Sequence, residues 1–171
     1  VAAAVIGVLS DSHGNLELLR TAAWLLRDRH GAEQLIHLGD YYRDALVLRQ
    51  EGWRVWPVPG TRCPAYGTSE RILRENIGGI SVVAAHTPED LAQALQGEQL
   101  ALHGHTHIPF VERRGAAVWL NPGHLKSRLD RGQRPSYAVL SLEPGLVQAT
   151  LLGLDGELHA QESFRMEMET A

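Results

Sequence analysis

Two carboxylates and four imidazoles occur in four short pieces of the chain. These are Asp11-Ser12-His13-Gly14-Asn15, Gly39-Asp40, His86 and Gly104-His105-Thr106-His107. Hard divalent metals that act on phosphate esters take mixed carboxylate and imidazole ligands. Two such ions, about 3.5–4 Å apart, can hold a bridging hydroxide and clamp the attacking and leaving oxygens of an in-line displacement. A centre of that kind needs a carboxylate able to bridge both ions, and neutral ligands that keep the charge low enough to accept an anion. Asp11, His13, Asp40, His86, His105 and His107 meet both needs. Each piece alone is a weak signal, since D-x-H is more often a turn and Gly-Asp marks many strand ends. Their conjunction in this order carries the weight. On a two-metal reading His105 and His107 point at different ions, because alternate residues of an extended segment cannot bind one ion side by side without a turn.

Such residues need rigid elements to bring them together. Val5–Leu9 is a short apolar run that suits a strand buried on both faces. Asn15 can cap a helix over Leu16–Arg29 with Leu16, Leu19, Ala23 and Leu26 as its apolar stripe, and Gly31 ends it. Gln34–Leu38 reads as a second strand, Asp44–Gln50 as a short helix and Trp53–Val58 as a third strand. This β-α-β-α-β order implies parallel strands, with functional residues at their carboxyl ends. Asp11, Asp40 and Thr61 all fall just past such ends. After residue 70 the pattern turns to strands: Ile72–Asn76, Ile80–Ala85, Leu100–His103, Phe110–Glu112, Ala116–Asn121, Tyr137–Leu142, Leu146–Gly153 and Glu157–Phe164, with one helix over Pro88–Gln96. Ser127–Pro135, with three Arg and Gly132, reads as a mobile loop.

Composition sets outer bounds. The 171 residues suit one domain spanning 1–171, and the net charge of −4 gives no broad basic surface for duplex nucleic acid. Fifteen of the 16 basic residues are Arg, Lys126 being the exception. Cys63 is the single cysteine, so no intrachain disulfide can form. Val1–Leu9 is too short and strand-like for a signal peptide, and no stretch approaches the roughly 20 apolar residues of a membrane span. The expectation is a soluble cytoplasmic protein; a homo-oligomer stays open.

The motif order resembles the calcineurin-like metallophosphoesterase superfamily, specifically its small single-domain bacterial and archaeal phosphodiesterases. The family runs D-x-H, G-D, G-N-x-D, H and G-H-x-H, then N-P-G-S in small members. This chain has Asp11-Ser-His13, Gly39-Asp40, Gly60-Thr61-Arg62-Cys63, His86, Gly104-His105-Thr106-His107 and Asn121-Pro122-Gly123-His124. The resemblance covers about Val5 to Phe164. It implies an α/β fold, a four-layer α/β/β/α sandwich of two mixed sheets flanked by helices. It also implies two divalent metal ions, with Mn the first choice and Fe, Zn, Co or Ni as alternatives. Asp11, His13 and His107 would bind one ion, His86 and His105 the other, and Asp40 would bridge. Asp40, Arg62 and His105 would act on the reacting phosphate.

The departures are local. Thr61 stands where the family has an Asn that ligates the second metal, and its shorter hydroxyl arm is a poorer ligand, at most a weak metal or phosphate contact. Arg62 takes the place of the usual leaving-group acid. It stays protonated and so cannot be that acid, yet it can hold a phosphate oxygen bidentately. Cys63 replaces the Asp that would orient that acid and reads as a buried small hydrophobe. Thr87 follows His86 where Gly is usual, and His124 with Lys126 could touch a substrate phosphate at the rim. His37 and His103 read as packed residues or residues that orient a ligand. His30 and His159 read as surface groups, and Trp24, Trp53, Trp56 and Trp119 as core.

The expected activity is metal-dependent hydrolysis of a phosphate ester, a diester ahead of a monoester, by a bridging hydroxide. With no resident acid, activated aryl esters should react better than alkyl esters. The alternative is a binding or scaffolding module that keeps the fold without turnover, a route the family permits in a non-enzymatic subunit of the retromer complex. A nucleotide-binding module has no Gly-rich phosphate loop to support it.

Overall fold

The computed structural model describes residues 3–168. The termini of the expected 1–171 domain, residues 1–2 and 169–171, lie outside the described residues. Strand β1 (Ala4–Leu9) is the apolar run read from sequence. Its even residues Ile6 and Val8 enter one apolar layer and Leu9 enters another, so the strand is buried on both faces. Helix α1 (Leu16–Asp28) begins at Asn15, whose side-chain oxygen accepts the Leu18 N–H at 3.1 Å. Strand β2 (Gln34–His37), helix α2 (Tyr42–Gln50) and strand β3 (Val55–Pro57) complete the parallel β1-β2-β3 unit. Helix α2 starts two residues earlier than the pattern suggests, on Tyr41 in the left-handed region.

The later strands divide between two sheets. Strands β4 (Leu73–Ile77), β5 (Ile80–Ala84), β6 (Leu100–Leu102), β7 (Phe110–Arg114) and β8 (Ala117–Asn121) form a sheet of order β4-β5-β6-β8-β7. Helix α3 (Pro88–Ala94) lies between β5 and β6 in the chain. Strands β9 (Ser136–Glu143), β10 (Leu146–Gly153) and β11 (Leu158–Arg165) instead join the first sheet, giving β11-β10-β9-β1-β2-β3. The join is antiparallel, in the register Ala4↔Leu142 to Val8↔Ala138.

Both sheets are mixed, and the expected helix/sheet/sheet/helix layering is present. Ile6, Val8, Ile36, Leu38, Leu140 and Leu142 of the first sheet share the central core with Ile80, Val82, Leu100, Leu102, Val118 and Leu120 of the second. Leu19, Leu26, Ala45 and Leu48 carry α1 and α2 against the outer face of the first sheet, and Leu91 carries α3 against the second. Trp24 is not core: it is 49% exposed. At 100° per residue it stands about 140° from Leu19, away from the stripe that packs. Trp119 is buried as expected. No helix among the described residues is long and apolar enough to cross a membrane.

This architecture brings the carboxyl ends of β1, β2, β3, β5 and β6 to one end of the sandwich, and Asp11, Asp40, Thr61, His86 and His105 follow shortly after those ends. One bond stitches the sheets together there, the His105 N–H donating to Asp11 Oδ2 at 2.9 Å, while the Gly104 N–H to the His86 carbonyl at 2.9 Å ties the ends of β5 and β6 within the second sheet.

Candidate metal centre

The ligand loops hold an unusual backbone. Asp11, His13, His105 and His107 have φ of 54°, 46°, 72° and 68°, in the left-handed region that non-glycine residues seldom enter. Turning both members of D-x-H and of H-x-H this way makes side chains two apart diverge from the strand pattern. Such strain, about 1–3 kcal/mol per residue, persists where the surroundings over-determine it. Here they do. The Gly39 N–H donates to His37 Nδ1 (3.2 Å), which leaves the proton of His37 on Nε2, facing Ser12 Oγ at 2.9 Å. The Ser12 hydroxyl then donates to Asp44 Oδ2 at 2.6 Å, and the Gly14 N–H donates to the same oxygen at 2.8 Å. One chain of bonds thus runs from the residue before Asp40 to both neighbours of His13. His37 is fully buried, and burial pushes its pKa from 6.5 down to about 4, so the ring is neutral in this chain.

Two glycines are required for close approach. Gly39 has φ of 88°, and a Cβ there would lie 2.7 Å from His86 Nδ1. A Cβ on Gly104 would collide with Ser10 Oγ and stand 2.5 Å from Asp11 Oδ2.

The six expected ligands converge as two groups of three, Asp11 with His13 and His107, and Asp40 with His86 and His105. Within each group the donor atoms lie within 4.8 Å of one another. Asp40 faces both groups: Oδ2 is 3.5 Å from His13 Nε2, and Oδ1 is 3.3 Å from His86 Nε2. His105 Nδ1 is 3.2 Å from His86 Nε2. The His86 ring donates from Nδ1 to the Leu38 carbonyl at 2.6 Å, which leaves Nε2 open toward the group.

Two buried polar atoms here, Asp11 Oδ1 and His13 Nε2, have no hydrogen-bond partner among the described residues. They face each other at 3.9 Å, and His107 Nε2 stands 3.3 Å from the same oxygen. Orphaned polar atoms of this kind carry a desolvation cost that an ion would remove. The donor chemistry, carboxylate oxygen with imidazole nitrogen, fits a divalent metal in both groups.

The electrostatics agree. Burial raises the Asp11 carboxyl, but His107, His86 and the Ser10 hydroxyl outweigh it and hold it at about 2. Burial likewise raises Asp40, and the His86 ring brings it below the ordinary value. Burial lowers His86 and His107, but Asp40 and Asp11 drive the former up, and Asp11 and Asp130 the latter. His13 stays lowered because burial prevails over both carboxylates. The two buried carboxylates draw positive charge toward the centre, which a bound divalent ion would supply.

A cavity of about 790 Å³ opens over the centre. His13, Asp40, His105 and His107 reach it, and Thr61, Arg62, Lys126 and Arg131 line its walls. Thr61 and Arg62 are exposed on the turn closed by the Cys63 N–H to the Gly60 carbonyl at 3.0 Å. Cys63 is not buried: it is partly exposed on the cavity wall, and its Sγ accepts the Tyr42 N–H at 3.4 Å.

His124 also departs from expectation. It is fully buried rather than on the rim. Its Nε2 donates to the Gln133 carbonyl at 2.7 Å and its Nδ1 accepts the Lys126 N–H at 3.1 Å, which leaves no ring nitrogen for a phosphate. His103 is buried against Phe110 and Trp119, as a packed residue. His159 is exposed, whereas His30 is half-buried on the Tyr137 hydroxyl at 3.1 Å.

The Ser127–Pro135 segment is anchored where a mobile loop was expected. Asp130 and Gln133 bridge each other, Asn15 Nδ2 donates to the Lys126 carbonyl at 2.9 Å, and Arg131 Nη1 reaches the His105 and Thr106 carbonyls at 3.2 Å each. Asp130 accepts a hydrogen bond from His107 Nδ1. Asp44 and Asp130 were both invisible in the motif reading. Asp44 looks like an ordinary acid in a first helical turn, and the only signal for Asp130 is that it is the sole acid among the residues of Ser127–Pro135.

Comparison with known proteins follows the same lines. The family model of the calcineurin-like phosphoesterase superfamily domain matches residues 5–145. Among solved structures the chain resembles Yfce, a phosphoesterase from E. coli, at 22% identity, covering 92% of this chain and 98% of that one with a TM-score of 0.73. A novel archaeal phosphodiesterase aligns at 20% identity over 86% and 99% with a TM-score of 0.61. Vacuolar Protein Sorting 29 from Cryptosporidium parvum aligns at 17% over 96% and 100% with a TM-score of 0.73. A search of curated proteins returned no match. At these identities the structural likenesses speak for the fold, and the family model, spanning most of the chain, agrees with the ligand order found in three dimensions. The chain belongs to the calcineurin-like phosphoesterase superfamily.

Proposed function

We propose that this chain is a single-domain, divalent-metal-dependent phosphoesterase that prefers diesters. The observation that carries the reading is the pair of donor triplets with Asp40 facing both. Asp11, His13 and His107 would hold one ion, His86 and His105 the other, and Asp40 would join them; Mn is the first choice. When bound, such ions supply Lewis-acid charge and an acidified water at neutral pH. Asp11 and Asp40 contribute only two negative charges, so the loaded centre stays positive and attracts a phosphate anion. Arg62 lines the cavity wall and would bind a non-bridging oxygen and hold charge that develops there.

Thr61 offers a hydroxyl where an amide oxygen would reach further, which makes the Asp40 group the weaker of the two. Arg62 stands at the position of the usual leaving-group acid and stays protonated, so it would not supply that proton. Aryl esters, which leave without a proton, should therefore be the better substrates. The similarity to an archaeal phosphodiesterase supports the diester preference. The test is Mn-dependent hydrolysis of aryl phosphodiesters with graded leaving-group acidity. A steep dependence is expected, and a flat one with chemistry rate-limiting contradicts the missing acid.

A second reading is a binding module, favoured by the likeness to Vacuolar Protein Sorting 29, one form of which was solved with a cyclic peptide. Retention of all six ligands, with strained backbone at four of them, weighs for the enzyme. Absence of turnover with every divalent metal would favour the module.

A further inference from the structure

We propose that Asp130 is a positioning residue that holds the His107 ring with Nδ1 protonated and Nε2 open, and so makes the Asp11 group the first to fill with metal. The inference rests on the metal reading above and goes beyond it, since it ranks the two groups and assigns a role to a residue outside the six ligands.

His107 Nε2 stands 3.3 Å from Asp11 Oδ1, an oxygen without a hydrogen-bond partner among the described residues. A neutral imidazole carries one proton on either nitrogen. If it sits on Nε2, the ring can donate to Asp11 and the two ligands satisfy each other, which closes the place where an ion would bind. If it sits on Nδ1, it must find an acceptor inside the protein, because the ring is nearly buried. Asp130 Oδ2 is that acceptor.

The carboxylate is itself held in place. Lys126 Nζ lies 3.5 Å from Asp130 Oδ1, and Arg131 Nε lies 3.9 Å from Oδ2. Arg131 also grips the His105 and Thr106 carbonyls, so the strap carrying Asp130 is fastened to the loop carrying His107. Its φ of 50° is the strained turn that lets it do so.

His86 in the other group is set by the same logic but with a weaker partner. Its Nδ1 donates to the neutral Leu38 carbonyl. A carboxylate on the far nitrogen raises the basicity of a ligating imidazole more than a carbonyl does. The two groups therefore differ in strength by construction, and Thr61 adds to the difference on the weaker side.

The test titrates Mn into metal-free protein by calorimetry, for wild type, Asp130→Ala, Asp130→Asn and His13→Ala. His13→Ala identifies the Asp11-group event as the one it removes. The inference predicts that this event is the tighter one in wild type. Asp130→Ala should weaken it about 10–100-fold, the range for loss of a ligand's supporting partner, and leave the other event unchanged. Asp130→Asn keeps an acceptor without the charge and should fall between. Long-range nitrogen–proton spectra of the metal-free protein, at a pH where the ring is neutral, give a readout that overall stability does not move. His107 should carry its proton on Nδ1 in wild type and shift toward Nε2 in Asp130→Ala. Equal Asp11-group affinity in wild type and Asp130→Ala, or a wild-type proton on Nε2, overturns the inference. Failure of wild type to bind Mn at all overturns the metal reading, and the filling order with it.

Discussion

Asp44 contacts no ligand, yet it fixes both neighbours of His13. Its Oδ2 accepts from Ser12 Oγ at 2.6 Å and from the Gly14 N–H at 2.8 Å, and its side chain is buried. Replacing Asp44 with Ala removes both bonds and leaves two donors without an acceptor. Hydrogen bonds to a carboxylate contribute about 1.5–3 kcal/mol each, so the pair is worth about 3–6 kcal/mol. Relief of the buried carboxylate's desolvation returns part of that, giving a net loss of about 2–4 kcal/mol. For a chain of this length the melting point should drop by about 5–15 °C.

The left-handed turn at His13 relies on the same bonds, so Mn affinity of the Asp11 group should also fall, by about tenfold or more. Asp44→Asn keeps an oxygen and should lose roughly half as much stability. The assay is thermal and urea unfolding of the metal-free protein beside Mn calorimetry, with Ser12→Ala and the double variant closing a cycle. A coupling of about 1–3 kcal/mol between Ser12 and Asp44 is expected. If Asp44→Ala keeps wild-type stability and Mn affinity, the network does not hold the loop and the reasoning fails.

Three further expectations follow from the site. Thr61→Asn should tighten Mn binding at the Asp40, His86 and His105 group and raise the rate at subsaturating Mn; unchanged occupancy and rate would show that Thr61 was not limiting. Gly104→Ala drives a methyl into Ser10 and Asp11 and should cost about 1–3 kcal/mol with loss of Asp11-group binding; a variant with normal binding would mean the two loops need not approach so closely. Burial lowers His37 to about 4, so the unfolded chain takes up that proton from 6.5 downward while the folded chain resists. The stability present above 6.5 is therefore lost as pH falls toward 4, and metal-free His37→Gln should unfold with a flatter slope than wild type across that window. Because His86 and His107 are raised and contribute with the opposite sign, the difference between the two proteins is the quantity to compare, and parallel curves would contradict the assignment.

The sequence was most readable where a local rule and a chemical need coincide. The apolar run at Val5–Leu9, the Asn15 cap and the Gly31 stop each follow from nearest neighbours in the chain, and the structure has a strand, a cap and a helix end there. The six candidate ligands stood out in the sequence because few side chains bind hard metals, and they follow strand ends that the structure brings together in two groups. What escaped depends on distance in sequence. Asp44 lies 32 residues from Ser12, and Asp130 lies 23 from His107. No periodicity links either pair. The pairing of β9 with β1, which returns the C-terminal strands to the first sheet, was hidden for the same reason. Trp24 and His124 were misplaced in opposite directions. A large aromatic suggests core but fell on the solvent side of α1, and a loop histidine suggests the rim but had main-chain partners on both nitrogens.

Above all, six side chains would form two metal sites joined by Asp40. Metal-free protein equilibrated with Mn, then analysed for bound metal per chain, tests it directly when turnover of an aryl phosphodiester is read in the same samples. Two ions are expected in wild type, one in His13→Ala, one in His86→Ala, and full turnover in wild type alone. Fewer than one ion per wild-type chain, with no turnover in any divalent metal, would contradict it.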